Sequence, residues 1–522
     1  MVLVLPSTLL QVLFDAFGLA QQERGVHLGC FPKPTKRAEG FFKFSGELGL
    51  LLVSPTLREG LHSCLQNPHV VVQILIEATK VIGELPKLGG IYNCFCHQTL
   101  LSTQSKIDEI QSSRVQSHFK VTVKPTTNVS LTPVWVIFAI TIAGSSSTGL
   151  FWNALGFIAK HAYGFSRIEN LTLYLAMGLV YAASAWKAGS VGKIVGWSDR
   201  GGVVWCLLGM AVGLAVPGIL PSKMSLWIAG IWVSGLSALL WPVVHAYLAG
   251  GRPPDKVAKV QGVFNLIWMT SVTIPMFILP PFLDTGARGV FLVSACTLFM
   301  VLPLAFWLPC VTPSAFVDPS GACGSAGHPE WQALLVRSRR WLVVTYLFMS
   351  AFPPLLPYAF EASGIASTLE TPLTGTWMVV RVVFVAFLWR TTFWQGHRPF
   401  LIGAGLAGTL GFGLALGAGF LPGPPLPWMF FGFILFGLGA GASYHAALAY
   451  GMVVGEAEVD AGGTFEAMIG LGYAGGPAAG LLGVPVAALL GISPGVAATV
   501  LLAGPALMLP WLRVSENSVE AS

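Results

Sequence analysis

"GKIVGWSDRGG", residues 192–202, sets Asp199 and Arg200 on a glycine-rich turn between two strongly apolar stretches, "LTLYLAMGLVYAASAW" before it and "VVWCLLGMAVGLAVPGIL" after it. What a charged pair does in such a place depends on the solvent around the flanking runs. The chain has 522 residues, of which 54% are hydrophobic and 10% charged, where a soluble globular protein carries roughly 25% charged residues. A soluble core cannot absorb that much apolar surface, so lipid is the expected solvent for most of the chain. The formal charge of +6 is then a matter of which connections carry it, and is no sign of a nucleic-acid partner.

The composition breaks near residue 125. Nine glutamines precede that point and only Gln261, Gln332 and Gln395 follow it. The apolar runs before the break, "MVLVLPSTLLQVLFDAFGLA" and "HVVVQILIEATKVIG", are short or carry Asp, Glu or Lys, below the ~20 clean residues that a crossing needs. The start has neither the basic region nor the small-residue cleavage site of a signal peptide. Residues 1–125 read as an appendage of unknown fold, or as the product of a misassigned translation start. The eight cysteines form no CxxC pair, so neither a zinc site nor a disulfide framework is indicated. Cys94 and Cys96 read as a faint metal signal or as two unrelated thiols.

From about residue 133 apolar segments recur with crossing length. Twelve are bracketed at 133–158, 171–191, 203–221, 225–249, 262–283, 289–309, 341–360, 372–390, 399–421, 427–452, 465–489 and 493–512. They show no two-residue alternation, which leaves helices as the spanning structure. The expected organisation is a six-helix bundle over 130–310, a linker over 311–340 and a second six-helix bundle over 341–515. Connections on one side carry Lys193, Arg200, Arg252, Lys256, Lys259, Arg337, Arg339, Arg340, Arg390, Arg398 and Arg513, against Lys160, Arg167, Lys223 and Arg288 on the other. The positive-inside rule makes the first side cytoplasmic, with both ends of the helical unit inside and Asp199 and Arg200 in the cytoplasmic loop after the second helix. The expected location is the plasma membrane, or the inner membrane in a bacterium.

A shift of about 200 residues lays "HAYLAGG" from His245 on "HAALAYG" from His445, and "GVFN" from Gly262 on "GTFE" from Gly463. Each pair holds the same place in its half, the end of the fourth and tenth helices and the start of the fifth and eleventh. A parallel six-helix repeat is a transporter architecture with its site between the halves.

Twelve helices, this duplication and the Gly/Asp/Arg turn after the second helix resemble the major facilitator superfamily. Its signature there reads Gly-x-x-x-Asp-Arg/Lys-x-Gly and then basic residues. Asp199, Arg200 and Gly202 match, whereas the first glycine falls on Val195, with Gly196 one place late, and Val203 and Val204 replace the basic tail. "YGFSRIENLTL", "LLWPVVHAYLAG", "FGLGAGASYHAALAYG" and "GGTFEAMIGLGYAGGPAAG" are similar to the family as well. The resemblance covers residues 130–515 and implies an all-α integral membrane protein of twelve transmembrane helices in two six-helix pseudo-repeats. It also implies that Asp199 latches one state of the cycle against the facing end of the eleventh helix, "DAGGTFEAM". The alternative is a solvated charged turn.

Arg381 sits near the middle of the eighth segment, "TGTWMVVRVVFVAFLW", where an arginine is costly unless it faces a cavity or a partner. It reads as a site for a substrate carboxylate or other anion, which its guanidinium fork suits, or as an interhelical bond to carbonyls or Glu466. Glu466, one turn inside the eleventh helix, is the candidate for proton coupling; capping or pairing with Arg390 is the alternative. His245 and His445 read as proton shuttles or as gate packing. Trp152 with Asn153, and Asn265 with Trp268, form aromatic–amide pairs suited to a small polar organic ligand, though such tryptophans also serve as interface belts. Tyr444 joins them as a candidate. "GSSSTG" at 144–149 reads as helix contact. No HExxH, P-loop or GxGxxG is present, so the chain is expected to be no enzyme, to need no cofactor and to draw its driving force from gradients. The leading expectation is a secondary or facilitative transporter, a monomer in the bilayer, moving a small organic solute, an anion by the Arg381 reading, with a proton as coupling ion. The competing one is a transporter-like sensor or scaffold that no longer transports.

Overall fold

A computed structural model of the chain describes residues 131–284, 287–313, 329–454 and 459–508. The expected appendage, with Cys94 and Cys96, and the middle of the expected linker lie outside the described residues. The rest is helical: α1 (Val134–Tyr163), α2 (Arg167–Val195), α3 (Asp199–Ile219), α4 (Lys223–Ala249), α5 (Pro254–Ile278), α6 (Arg288–Val301), α7 (Pro329–Ala362), α8 (Ser367–Trp389), α9 (Arg398–Gly417), α10 (Pro425–Val454), α11 (Val459–Leu490) and α12 (Pro494–Met508). A short helix, Pro280–Asp284, precedes α6, and a 3₁₀ stretch, Leu302–Trp307, continues it.

Ten of the described helices are long and apolar enough to cross a membrane. The expected segments 171–191 and 493–512 are not among them: the first lies in the 29-residue α2, and the second is represented by the 15-residue α12. Large apolar side chains such as Trp186, Leu471 and Leu489 point outward, the last 84% exposed. That is the surface of a chain dissolved in lipid, where helices satisfy their own backbone groups.

Local chemistry sets the helix ends. Gly164, at φ 60°, closes α1 with its N–H on the carbonyls of Ala159 and Lys160, a left-handed cap that costs glycine little. The opening stretch differs from expectation. Asp199 and Arg200 are the first two residues of α3, because Ser198 caps it and accepts a hydrogen bond from the Gly201 N–H. Gly196, at φ 70°, supplies the turn before it. A carboxylate in a first helical turn is also favoured by the helix dipole. A second difference concerns the thiols: Cys310 is disulfide-bonded, although the spacing gives no sign of it.

α2 lies against α11 closely enough that a Cβ on Gly178 would meet the backbone of Tyr473 and Ala474, and one on Gly470 the backbone of Ala182. Small residues permit such approach in membranes. Among the last six helices, Phe352 stands 4.8 Å from Phe412 and 4.7 Å from Phe436, and Trp377 stands 5.2 Å from Phe436. This aromatic core fixes the face of α8 that carries Arg381 one turn after Trp377.

Candidate functional site

A cavity of about 90 Å³ lies between the first six and the last six helices. The first set contributes Trp152 and Asn153 (α1), Tyr181 (α2), His245 (α4) and Trp268 (α5). The second contributes Tyr346 and Met349 (α7), Trp377 and Arg381 (α8), Tyr444 (α10), and Glu466 and Tyr473 (α11).

Arg381 is 3% exposed. Its guanidinium carbon stands 5.2 Å from the Trp268 ring centre and 5.1 Å from that of Trp377, so two π faces supply part of the stabilisation that water would otherwise give. One terminal nitrogen lies 3.4 Å from the Met349 sulfur, a weak acceptor. Its Nε has no hydrogen-bond partner, and neither does the neighbouring Trp377 Nε1. Buried donors are ordinarily paired, so these two lack the acceptors that burial calls for. The interhelical bond to Glu466 is absent.

Glu466 is engaged elsewhere. Its Oε2 accepts a hydrogen bond from the Tyr181 hydroxyl at 2.6 Å, and its Oε1 lies 3.9 Å from His245 Nε2. It bonds neither Arg390 nor its own helix end among the described residues. The contacts join α11 to α2 and α4 across the two sets of helices, and a second bridge stands beside them. Asn265, which lies behind the cavity wall, accepts from the Tyr444 hydroxyl at 3.3 Å and from Gln261 Nε2 at 3.2 Å. The His245 ring packs 4.9 Å from Phe264, and that of His445 packs 5.1 Å from Trp394.

Toward the opposite end of the helices a second set of clasps joins the same halves. Lys160 donates to the Pro357 carbonyl at 2.7 Å and pairs with Glu361 at 2.9 Å. His161 meets the buried Glu370 at 2.8 Å, and Tyr358 donates to the Phe165 carbonyl at 2.8 Å. Polar contacts between the two sets of helices thus stand at the cavity wall itself and toward the opposite end of the helices.

The aromatic–amide pairs divide. The Trp152 ring stacks on Tyr473 at 4.7 Å, and Asn153 donates back to the Gly149 carbonyl at 2.7 Å while lining the cavity. Trp268 faces Arg381 and stands 5.4 Å from Tyr444. Of the turn residues, Asp199 accepts from the Thr312 N–H at 2.6 Å and from its hydroxyl at 2.8 Å. Arg200 donates to the carbonyls of Phe306 and Leu308 at 3.3 and 3.4 Å. Both clasp the chain after α6. The side chains at the start of α11 lie outside the described residues, and Gly202 has open space beside it.

Sequence reasoning missed Tyr181, Tyr346, Tyr473 and Trp377. A signal existed: a tyrosine deep inside an apolar segment carries a hydroxyl that lipid cannot satisfy, and each of these tyrosines lies well inside its helix.

The fold matches solved structures at probability 1.00. A nucleoside transporter, NupG, matches over 72% of this chain and 98% of its own, at 13% identity and a TM-score of 0.53. A peptide transporter, POT, in complex with alafosfalin matches over 72% and 93%, at 14% identity and 0.53. A POT family transporter in complex with 5-aminolevulinic acid matches over 72% and 94%, at 12% identity and 0.56. No protein-family profile and no curated protein sequence matches the chain. The fold is that of the major facilitator superfamily transporters, as the resemblance implied.

Proposed function

We propose that this protein is a secondary transporter that moves a small organic anion by alternating access. Its twelve helices serve as two six-helix pseudo-repeats, with the lysine- and arginine-rich end in the cytoplasm. The observation that carries the reading is Arg381: a permanent cation, 3% exposed, on the wall of a cavity between the two halves, with donors left unpaired. Holding that charge away from water costs several kcal/mol, and an entering anion recovers the cost as binding energy. Trp152, Asn153, Trp268 and Tyr444 shape the space beside it, and Asn265 holds Tyr444 in place.

The two bands of contacts supply the gates. Glu466, His245 and Asn265 close the cytoplasmic side, His445 packs behind them, and the Lys160 and His161 clasps close the other. Asp199 exchanges its hold on Thr312 for the start of α11 in the outward-facing state, and Arg200 and Gly202 complete that hinge. A contact biases the cycle only if it differs between states, so on this reading each gate opens in one state and Asp199 changes partner between the two.

The test is uptake of radiolabelled carboxylates, from acetate and pyruvate to benzoate and succinate, into vesicles holding the purified protein. The parent is expected to take up at least one of them and the folded Arg381→Ala variant none. Equal uptake by the two, or preference for a neutral or cationic solute, overturns the anion assignment. Absence of flux for every solute class favours a sensor or scaffold.

A further inference from the structure

The charges around the cavity, counted, say more than that an anion binds. Among the lining residues Arg381 is the one permanent cation and Glu466 the one carboxylate, with His245 the other group that changes charge near neutral pH. With Glu466 ionised and His245 neutral, the empty cavity is balanced. A carboxylate that enters beside Arg381 leaves one negative charge in excess, and an uncompensated charge in a water-poor enclosure costs several kcal/mol. The remedy stands in the same cavity: Glu466 and His245, at 3.9 Å, can hold one proton between them.

We propose, on the anion reading given above, that each transported anion is a short monocarboxylate and that one proton travels with it on the Glu466–His245 pair, so that the cycle is electroneutral. The proton binds a Glu466 carboxylate oxygen or His245 Nε2 from water on one side of the membrane and returns to water on the other, as the anion leaves Arg381. No other bond forms or breaks.

Three observations narrow the anion. A single guanidinium matches a single carboxylate edge to edge, whereas a second negative charge has no cation to meet. Arg381 Nε and the Nε1 of Trp377, whose ring stands 5.1 Å from the guanidinium carbon, are donors without a partner, which suits an acceptor-only ligand. The volume of about 90 Å³ lies below the ~150 Å³ of a cavity that takes up benzene and is about three times the ~30 Å³ that water occupies in the liquid. In this conformation the space holds a few heavy atoms.

The surroundings of the pair leave it as the site of proton exchange. The titratable groups around Glu466 among the described residues are Tyr181 on α2, His245 on α4, Tyr346 on α7, Tyr444 on α10 and Tyr473 on its own helix, and the charged Arg381 on α8 lines the same cavity. Four are tyrosines, which stay neutral at physiological pH. Three of these, Tyr346, Tyr444 and Tyr473, line the cavity together with Arg381 and Glu466.

The experiment uses the full chain in proteoliposomes with an entrapped pH dye and a potassium diffusion potential set by valinomycin. Protein-free vesicles and the Arg381→Ala variant give the background for passive entry of weak acids. The probe is whichever anion of the panel acetate, pyruvate, lactate, benzoate and succinate raises the melting temperature of the parent but not of Arg381→Ala. The expected probe is a short monocarboxylate. It should accumulate about tenfold per pH unit of acid-outside gradient, the 1.36 kcal/mol that one proton carries per unit. Internal acidification should accompany it, and the imposed potential should leave its rate unchanged. Glu466→Gln should still exchange label across vesicles preloaded with the same anion but lose accumulation driven by the gradient. Accumulation that follows the potential with no internal acidification overturns the inference, as does a gradient response in Glu466→Gln equal to that of the parent. Selection of succinate as the probe overturns the substrate class alone. If no anion of the panel shifts the parent, it is the anion reading itself that fails.

Discussion

Replacing Arg381 by methionine separates what this residue does for ligand binding from what it does to stability, because the two effects differ greatly in size. In the empty protein the guanidinium is a buried charge bonded to no carboxylate, which costs about 2.5–3.5 kcal/mol on insertion scales for a helix centre. Its contacts with Trp268 and Trp377 return about 2 kcal/mol each at a site shielded from water. Methionine is also long and flexible, and it fills irregular gaps well. These terms nearly cancel, so Arg381→Met should change the stability of the empty protein by no more than about 1.5 kcal/mol. Binding changes far more. Two charge-assisted hydrogen bonds at about 1.5–3 kcal/mol each are lost, which at 1.4 kcal/mol per decade weakens anion binding by at least about a hundredfold. Thermal melting in detergent, with and without the anion, reads both. The parent should rise on adding the anion; the variant should start close to the parent and not move. A variant that keeps the anion response would refute the reasoning, since Arg381 would then be held by packing alone.

Gly178→Leu drives a side chain into the backbone of α11 at Tyr473 and Ala474, and overpacking of that kind costs about 1–3 kcal/mol or more; a sharp fall in melting temperature is expected. Gly202→Ala meets open space in the first turns of α3 and should be neutral or slightly stabilising by the same assay, because alanine is the better helix former. Lys160→Ala removes an ion pair whose Glu361 side chain is 68% exposed, worth under about 1 kcal/mol, so melting should barely change while cysteine labelling from the Lys160 end increases. Asp199→Asn takes the charge from the hold on the start of α11 proposed for the outward-facing state; slower transport and a population shifted toward the inward-facing state are expected, and identical labelling of variant and parent from the Asp199 end would sink that idea.

The fold was legible where one physical term dominates. Lipid imposes apolar segments of a set length, so the helices from α1 to α12 fall close to the bracketed ranges, and positive charges gather at one set of ends. Arg381 was legible for the same reason: a charge amid "MVVRVVF" has no cheap explanation. The partners were not. That Glu466 meets Tyr181 and His245, and that Arg381 faces Trp268 and Trp377, depends on which helix faces touch, and segments apolar all round give no periodicity from which to read it. The start of α3 was missed because a serine cap acts locally, while the reading weighed glycines as loop formers. Tyr346 and Tyr473 were passed over as ordinary apolar residues, although the hydroxyl sets them apart.

The central claim is that the cavity around Arg381 is open to each side of the membrane in turn. A single cysteine at position 153, on the cavity wall about two-thirds of the way along α1, tests it in sealed vesicles once Cys206, Cys296, Cys310 and the remaining cysteines are replaced. Asn153→Cys should react with a membrane-impermeant thiol reagent added from either side, and the transported anion should change the balance between the two rates. Reaction from one side only, unmoved by any anion, would contradict the account.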